Sequence, residues 1–494
     1  MPIGDTSSDA PISRIEDQRD RRIAELEAEN SQLRLQLTLR DVEIAHLKAQ
    51  LAQQEKRIAD LAAQVEELRR GSKRQAAPFS KGPPKENPKT PGRKPGDKYG
   101  RQAYRAVPPR IDETYEAKLP GQCPRCGGFH INYVKTSPQY QAEIPRRPTY
   151  RQFNVAVGEC ADCGCTVQGR HPLQTSDALG AAASQIGPEA QSAVVMLNKE
   201  LGLSHGKIAR FFEVFFGISL SRGGSCRIML RAAERLEGDY KAIIQSVQQS
   251  GPNDMVVPDE TGWRIGGHGA WLHVAVGVMA VAYLIDESRG IEAIVKVLGT
   301  TFAGILVHDG FRSYDQFNRA AHQACLGHLL KRCREMLEEA QGSAAQFPQK
   351  VKALLQESLE IRDRRDAGQI QPQTAVRKAG QLERQMGTLI GTHKTNPDNE
   401  RFAKHLRRNL GWLFTFLRRP GVDATNHQAE QGLRPAVVNR KVWGGNRTEA
   451  GAVAQMILMS VLGTCRKRGR QALEYVRDVL CGQPTPPLLP APDG

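Results

Sequence analysis

No apolar run in this sequence is long enough to cross a membrane. The longest, Ala270–Ile285, has 16 residues and contains His273 and Gly277, short of the roughly 18 that suggest a span. It reads better as two buried strands with a turn between them. The opening stretch, MPIGDTSSDAPISR, is polar and lacks a signal-peptide hydrophobic region, so a cytoplasmic, non-membrane protein is expected. Acid is also in short supply. Only 53 Asp and Glu face 69 Lys and Arg, for a net charge of +16. That balance favours a polyanionic partner, nucleic acid above all, although a merely soluble basic protein has the same composition. Disulfides are not expected. There are ten cysteines, but four fall in two C-x2-C pairs, which in a reducing compartment point to metal. The 494 residues allow about three or four structural units.

Glycine and proline are missing from residues 15–70, and heptads run through that gap. Position a is Ile23, Asn30, Leu37, Ile44, Leu51, Ile58 and Val65; position d is Leu26, Leu33, Arg40, Leu47, Gln54, Leu61 and Leu68. Sustained a/d apolarity predicts a coiled coil over 1–70. A single a-position Asn30 favours a parallel, in-register homodimer, and Glu29 with Arg34 and Glu43 with Lys48 have the signs of g-to-e′ pairs. The alternative is one long helix packed on its own domain. Residues 71–110 follow as a basic linker rich in Pro, Gly, Lys and Arg, with no means of forming a core. Such an arm can track a phosphate backbone or simply be solvated.

Residues 111–178 carry CPRCGG (Cys123, Cys126) and CADCGC (Cys160, Cys163, Cys165). Two thiolates per turn, each followed by Gly, fit a zinc ribbon with Zn2+ on Cys123, Cys126, Cys160 and Cys163. Cys165 is a spare that could replace Cys163, and YQAEIP and YRQFNVAVGE alternate like strands. Residues 179–250 predict helices over 188–201, 204–216 and 221–236. The last two have the layout of a helix-turn-helix, with Lys207, Arg210, Arg222 and Arg227 available to DNA; any small helical bundle can look the same.

From 254 the period changes to that of strands. MVVPDE, two more strands within AWLHVAVGVMAVAYLI, a helix, then AGILVHDGFRSYDQF make the opening of a ribonuclease-H-like mixed sheet. In such a sheet the first and fourth strands are neighbours, so Asp259 and Asp309 can meet. Glu430, on a later helix, would complete a site for two Mg2+ (or Mn2+) ions, which take carboxylate oxygens and can drive phosphoryl transfer. Taken singly, an Asp after a strand is most often a turn or cap residue. The fold class expected is multidomain α/β: coiled coil, zinc ribbon, helix-turn-helix-like helices, and a ribonuclease-H-like catalytic domain over 251–475 with a helical insertion around 335–420, then a tail over 476–494. Glu260 should face away from Asp259 by strand alternation. Cys325 and His328 form a C-x2-H pair for which packing is the plainer reading. Arg440 and Lys441 are candidate phosphate contacts beside Glu430, or ordinary surface charge.

These motifs together resemble the DDE transposases of the insertion sequence 66 family. The resemblance is carried by the coiled-coil leader, GRKPG (Gly92–Gly96), the cysteine pairs, DETGW (259–263), WLHVAV (271–276), HDGFRSY (308–314) and NHQAEQGLRP (426–435). It implies that Asp259, Asp309 and Glu430 are the acidic triad of an enzyme that cuts transposon ends and joins the 3′-OH to target DNA. It also suggests accessory proteins of the same element and a place at the bacterial nucleoid. The family often has Asp-Asn-Asn before its glutamate motif, where this chain has Thr425, Asn426 and His427. Two competing readings remain: a non-catalytic DNA-binding regulator, and a nuclease that cuts without joining.

Overall fold

The computed structural model describes residues 10–72, 107–145, 147–174, 176–180, 185–340 and 342–489. Most of the basic linker, including GRKPG, lies outside the described residues. The chain divides into two units, Met1–Lys94 and Pro95–Gly494.

In the first unit α1 is a single helix, Ala10–Ser72. Its seam residues Ile23, Leu26, Leu33, Leu37, Ile44, Leu47, Leu51, Ile58 and Leu61 are all exposed, between 43% and 65%. The second unit begins with the cysteine segment. The hairpin β1 (Val157–Glu159) and β2 (Thr166–Gln168) holds the second cysteine pair in its loop. The described residues from 107 to 156 form neither helix nor strand, so the strands expected in YQAEIP and across YRQFN do not form. Their side chains lack a covering layer: Val134, Ile144 and Tyr150 are 74–85% exposed, and alternation alone does not stabilise an unpartnered strand.

Four helices follow: α2 (Pro188–Lys199), α3 (His205–Phe216), α4 (Arg222–Arg235) and α5 (Glu237–Gln248). Serine caps open two of them. Ser204 Oγ accepts from Lys207 N and Ser221 Oγ from Gly224 N, while Gly217 closes α3 in the left-handed conformation that a Cβ would penalise. Then come β3 (Met255–Ile265), β4 (His268–Val276), β5 (Val281–Asp286), α6 (Ile291–Leu298), β6 (Ile305–His308), β7 (Ala321–Ala324) and α7 (Leu326–Glu339). The insertion follows as α8 (Gln346–Asp366), α9 (Pro372–Gly391), α10 (Pro397–Arg408) and α11 (Thr415–Arg418). The chain closes with α12 (His427–Trp443), α13 (Glu449–Lys467) and α14 (Ala472–Cys481).

The sheet order is β5-β4-β3-β6-β7. β3 and β4 form an antiparallel hairpin, β5 extends it, and β6 runs parallel to β3 as the adjacency of first and fourth strands requires. β6 pairs only with Met255 and Val256 of β3, and further along the same flank Asn446 bridges β3 at Ile265. Strand alternation sorts the two faces. Val257, Trp263, Leu272, Val274 and Val307 pack with α7, α12 and the insertion. Val256, Ala275, Ala282 and Leu306 pack with α2–α6, α13 and α14. The helices of 179–250 therefore share one core with the sheet and are not a separate body. Residues 476–489 are tied to the same core, where Val476, Leu480, Leu488 and Leu489 are buried; the rest of the expected tail lies outside the described residues.

The edge strand β5 is sealed by side chains of α13. Thr464 Oγ1 accepts from Val281 N at 3.0 Å, Ser460 Oγ from Tyr283 N at 2.9 Å, and Met456 Sδ from Ile285 N at 2.8 Å. One helical turn matches two strand residues, so a single face of α13 reads alternate amides. Unpaired edge amides are costly when buried and adhesive when exposed. Thr464→Val keeps the shape but strands Val281 N–H; a loss of about 1–3 kcal/mol in chemical denaturation is expected.

Candidate active site

Asp259, inside β3, and Asp309, directly after β6, come from adjacent parallel strands on the same face. Asp309 directly follows β6 and is fixed by its own turn, its Oδ1 accepting from Phe311 N at 2.9 Å. Asp259 Oδ1 accepts from Glu260 N at 2.9 Å. Burial, with Glu260 and Asp309 adding like charge, pushes the Asp259 carboxyl up to about 7. Glu430 stands in the first turn of α12, where the helix dipole favours an anion. It lies 3.7 Å from His328 Nε2 and 3.9 Å from His427 Nδ1. His328 is the group that senses both ends of the site. A hydrogen bond with Cys325 first, then the charges of Asp309 and Glu430, push it up to about 9, so it is cationic at neutral pH.

The turn carrying Asp309 is held from behind by two neutral histidines whose protons can be assigned. Gly310 N–H donates to His308 Nδ1 at 3.2 Å, so the proton of His308 sits on Nε2. Nε2 then donates to His322 Nδ1 at 3.0 Å, and His322 Nε2 donates to Phe317 O at 3.1 Å. Burial pushes His308 down to about 3, consistent with a neutral ring. Trp412 stacks on His322 at 4.5 Å. The insertion braces the same turn: Arg408 of α10 donates to Gly310 O and lies 3.6 Å from Asp315.

Glu260 occupies the other face, as alternation implies. Its side chain is 2% exposed, pairs with Arg289 at 2.8 Å and accepts from Tyr314 Oη at 3.2 Å. Arg289 lies over the rings of Trp271 and Phe311. Arg289 carries no sequence signal, and Tyr314 stands only as the end of HDGFRSY; their roles become visible only when β3 and the turn after Asp309 come together.

Asp259, Asp309 and Glu430 present hard oxygen donors of the kind Mg2+ or Mn2+ takes. Asp259 supports that fit, because a cation would relieve both the burial and the like charge that oppose its ionisation. Among the described residues no three His, Cys, Asp or Glu side chains are drawn close enough to hold an ion. The structure thus brings Asp259 and Asp309 to one face of the sheet, with Glu430 linked through His328, without closing them into a coordination shell. The cysteine pairs form matching turns. Cys123 N donates to Gly128 O and Gly127 N to Cys123 O; Cys160 N donates to Cys165 O and Gly164 N to Cys160 O. Backbone amides pull the thiols of Cys123 and Cys163 below the ordinary cysteine range, which suits zinc ligation, although the two turns are not joined into one cluster.

The profile described as Transposase IS66 family matches residues 183–454, more than half of the chain. The chain belongs to the IS66 transposase family. The matched residues include all three acids and leave out the cysteine turns. The chain is also similar to an uncharacterized protein, y4jO, of Sinorhizobium fredii (strain NBRC 101917 / NGR234), with 31% identity over 93 residues. That match covers 18% of this chain and 29% of the relative's length. Among the described residues of this IS66-family chain, no helix is long and apolar enough to cross a membrane.

Of the basic residues expected at DNA, Lys207, Arg222, Arg227 and Lys441 are exposed. Arg210 is exposed but pairs with Glu213 at 3.0 Å. Arg440 is committed to the fold: Nη1 donates to Thr261 Oγ1 at 3.0 Å and to Gly262 O. It staples α12 to β3, next to the point where Trp263 Nε1 donates to Asn446 Oδ1 at 2.7 Å. Gly445 is required at that junction, since a Cβ there would lie 2.4 Å from Arg264 O. Arg440→Ala should therefore cost about 1–3 kcal/mol of stability by leaving its acceptors unpaired, whereas Lys441→Ala should stay within about 0.5 kcal/mol. Denaturation of the two variants side by side checks the contrast.

Proposed function

We propose that this chain is a DDE transposase that binds the ends of its element, cleaves them and joins the freed 3′-OH to target DNA. The observation that carries the reading is the parallel pairing of β3 with β6, which brings Asp259 and Asp309 onto one face of a ribonuclease-H-like sheet. Asp259, Asp309 and Glu430 would hold two Mg2+ (or Mn2+) ions, which activate an attacking oxygen and stabilise a leaving one. The chain's own residues supply the frame. Asp309 is fixed by its turn and the two histidines behind it, Asp259 by the hairpin, and Glu430 by the start of α12. His328 sits beside Glu430 as a cation close to where phosphate charge would lie. The exposed Lys207, Arg222 and Arg227 on α3 and α4 suit backbone phosphates, and the four cysteines suit a structural zinc.

The test is a joining assay with full-length protein, Mg2+ and a plasmid carrying the repeats that flank the gene. Transposition predicts released ends covalently joined to target through their 3′-OH. Cuts without joined products would instead identify a nuclease, and binding without cuts a regulator.

The exposed seam of α1 supports a parallel homodimer, with Asn30 facing its twin. Deleting residues 1–70 should lower the oligomeric state by light scattering; an unchanged mass would remove the zipper.

A further inference from the structure

Asn426 makes contacts that lead to all three acids. It is 1% exposed and begins α12 as its N-cap residue. Its main-chain N–H donates to Cys325 Sγ at 3.4 Å. Cys325 is buried, and its own N–H donates to His308 O at 2.8 Å, one residue before Asp309. The main-chain carbonyl of Asn426 accepts from Glu430 N at 3.2 Å. Its side-chain Nδ2 points at Asp259 Oδ2 from 3.5 Å, the long limit of a hydrogen bond. One residue therefore connects with the neighbourhood of all three acids, through three different atoms.

The side-chain amide faces Asp259 with Nδ2, the orientation that suits an ionised carboxylate. That leaves Oδ1 buried and without a hydrogen-bond partner, which is costly in a native fold.

We infer that Asn426, with Cys325 behind it, is a positioning residue of the acidic site: it orients Asp259 and sets the start of the Glu430 helix against the strand that ends in Asp309. The inference rests on reading Asp259, Asp309 and Glu430 as the acidic triad. Groups that steer metal-binding carboxylates typically change metal affinity about 10- to 100-fold when removed.

The test is a titration of full-length protein with Mn2+ alone, read from the loss of the free-ion electron paramagnetic resonance signal. Asp259→Asn defines the site by abolishing its binding. Asn426→Ala should weaken that same site about 10- to 100-fold, with the metal-free melting temperature near that of the unmodified chain. Cys325→Ser, which keeps an acceptor for Asn426 N–H, should bind Mn2+ within a few fold of the unmodified chain, and Cys325→Ala distinctly more weakly. Unchanged affinity in Asn426→Ala while Asp259→Asn abolishes binding overturns the role of Asn426 and leaves the triad standing. Equal affinity in Cys325→Ser and Cys325→Ala removes the thiol from the arrangement. Unchanged binding in Asp259→Asn overturns the triad and the role of Asn426 together.

Discussion

Asp259→Asn should abolish Mg2+-dependent cleavage and joining while making the metal-free protein more stable. The two effects have one cause. Asp259 is pushed up to about 7 by burial and by its acidic neighbours, so its charge is unfavourable in the folded chain until a cation arrives. A carboxyl whose folded pKa lies above its unfolded value of about 3.9 binds more protons when folded between those two values. Stability therefore falls as pH rises from about 4 to about 7, and the full cost persists above. Asn removes the cost at nearly constant shape, for a gain of about 2–4 kcal/mol at pH 7.5. By the proposed reading the same change also deletes a metal ligand. Losing several kcal/mol of transition-state stabilisation corresponds to roughly a thousandfold or more in rate. Melting curves with and without Mn2+ complete the signature: the ion should stabilise the unmodified chain and leave Asp259→Asn where it was. A variant that is inactive yet more stable cannot owe its inactivity to misfolding. Normal cleavage by Asp259→Asn, or by Glu430→Gln, would remove those residues from the site.

The second large effect lies far from the acids, at Lys199. It ends α2 with its side chain 6% exposed, and its Nζ donates to the neutral amide oxygen of Gln455 on α13. Burial pulls its pKa down to about 7. Unfolded, the lysine keeps a pKa of about 10.4. Between those values the unfolded chain binds more protons, so stability rises with pH through the window. The cost of the buried charge is full below about 7 and gone above about 10.5. A separation of this size is worth about 4–5 kcal/mol. Lys199→Met removes the charge but leaves Gln455 Oε1 without its donor, about 1–3 kcal/mol in the other direction. The net expectation is a gain of about 1–3 kcal/mol at pH 7 that shrinks on alkalinisation and is lost by about pH 10. Parallel urea titrations of the two proteins from pH 6.5 to 10 check this. A constant difference across that range would show that Lys199 carries no charge cost.

Much of the architecture was legible because it is local. The period-two pattern marks β3 to β6, and Ser204, Gly217 and Ser221 mark the ends of α3 and α4 through hydrogen bonds made within a few residues. Asp309 and Glu430 were legible because one follows an apolar strand and the other opens a helix; Asp259, expected at a strand end, lies inside β3, which continues to Ile265. The strands expected between the cysteine pairs were misread for a related reason. YQAEIP has the alternation of a strand, but a strand also needs a neighbour, and no segment nearby in sequence supplies one. Arg440 was misplaced because its basic charge says nothing of Thr261 and Gly262, which lie nearly 180 residues away. Asn426 drew notice only as part of a motif, since its three partners come from Asp259, Cys325 and its own helix.

The sequence by itself determined the periodicities, the caps, the cysteine turns and the acids at element ends, Asp309 and Glu430, because each depends on neighbours along the chain. Tertiary structure alone decided that α2–α5 share the core of the sheet, that α13 seals β5, that Arg440 is a staple and that Asn426 reaches Asp259. Those outcomes depend on which surfaces meet after strands distant in sequence have paired, and local propensity carries no record of that pairing.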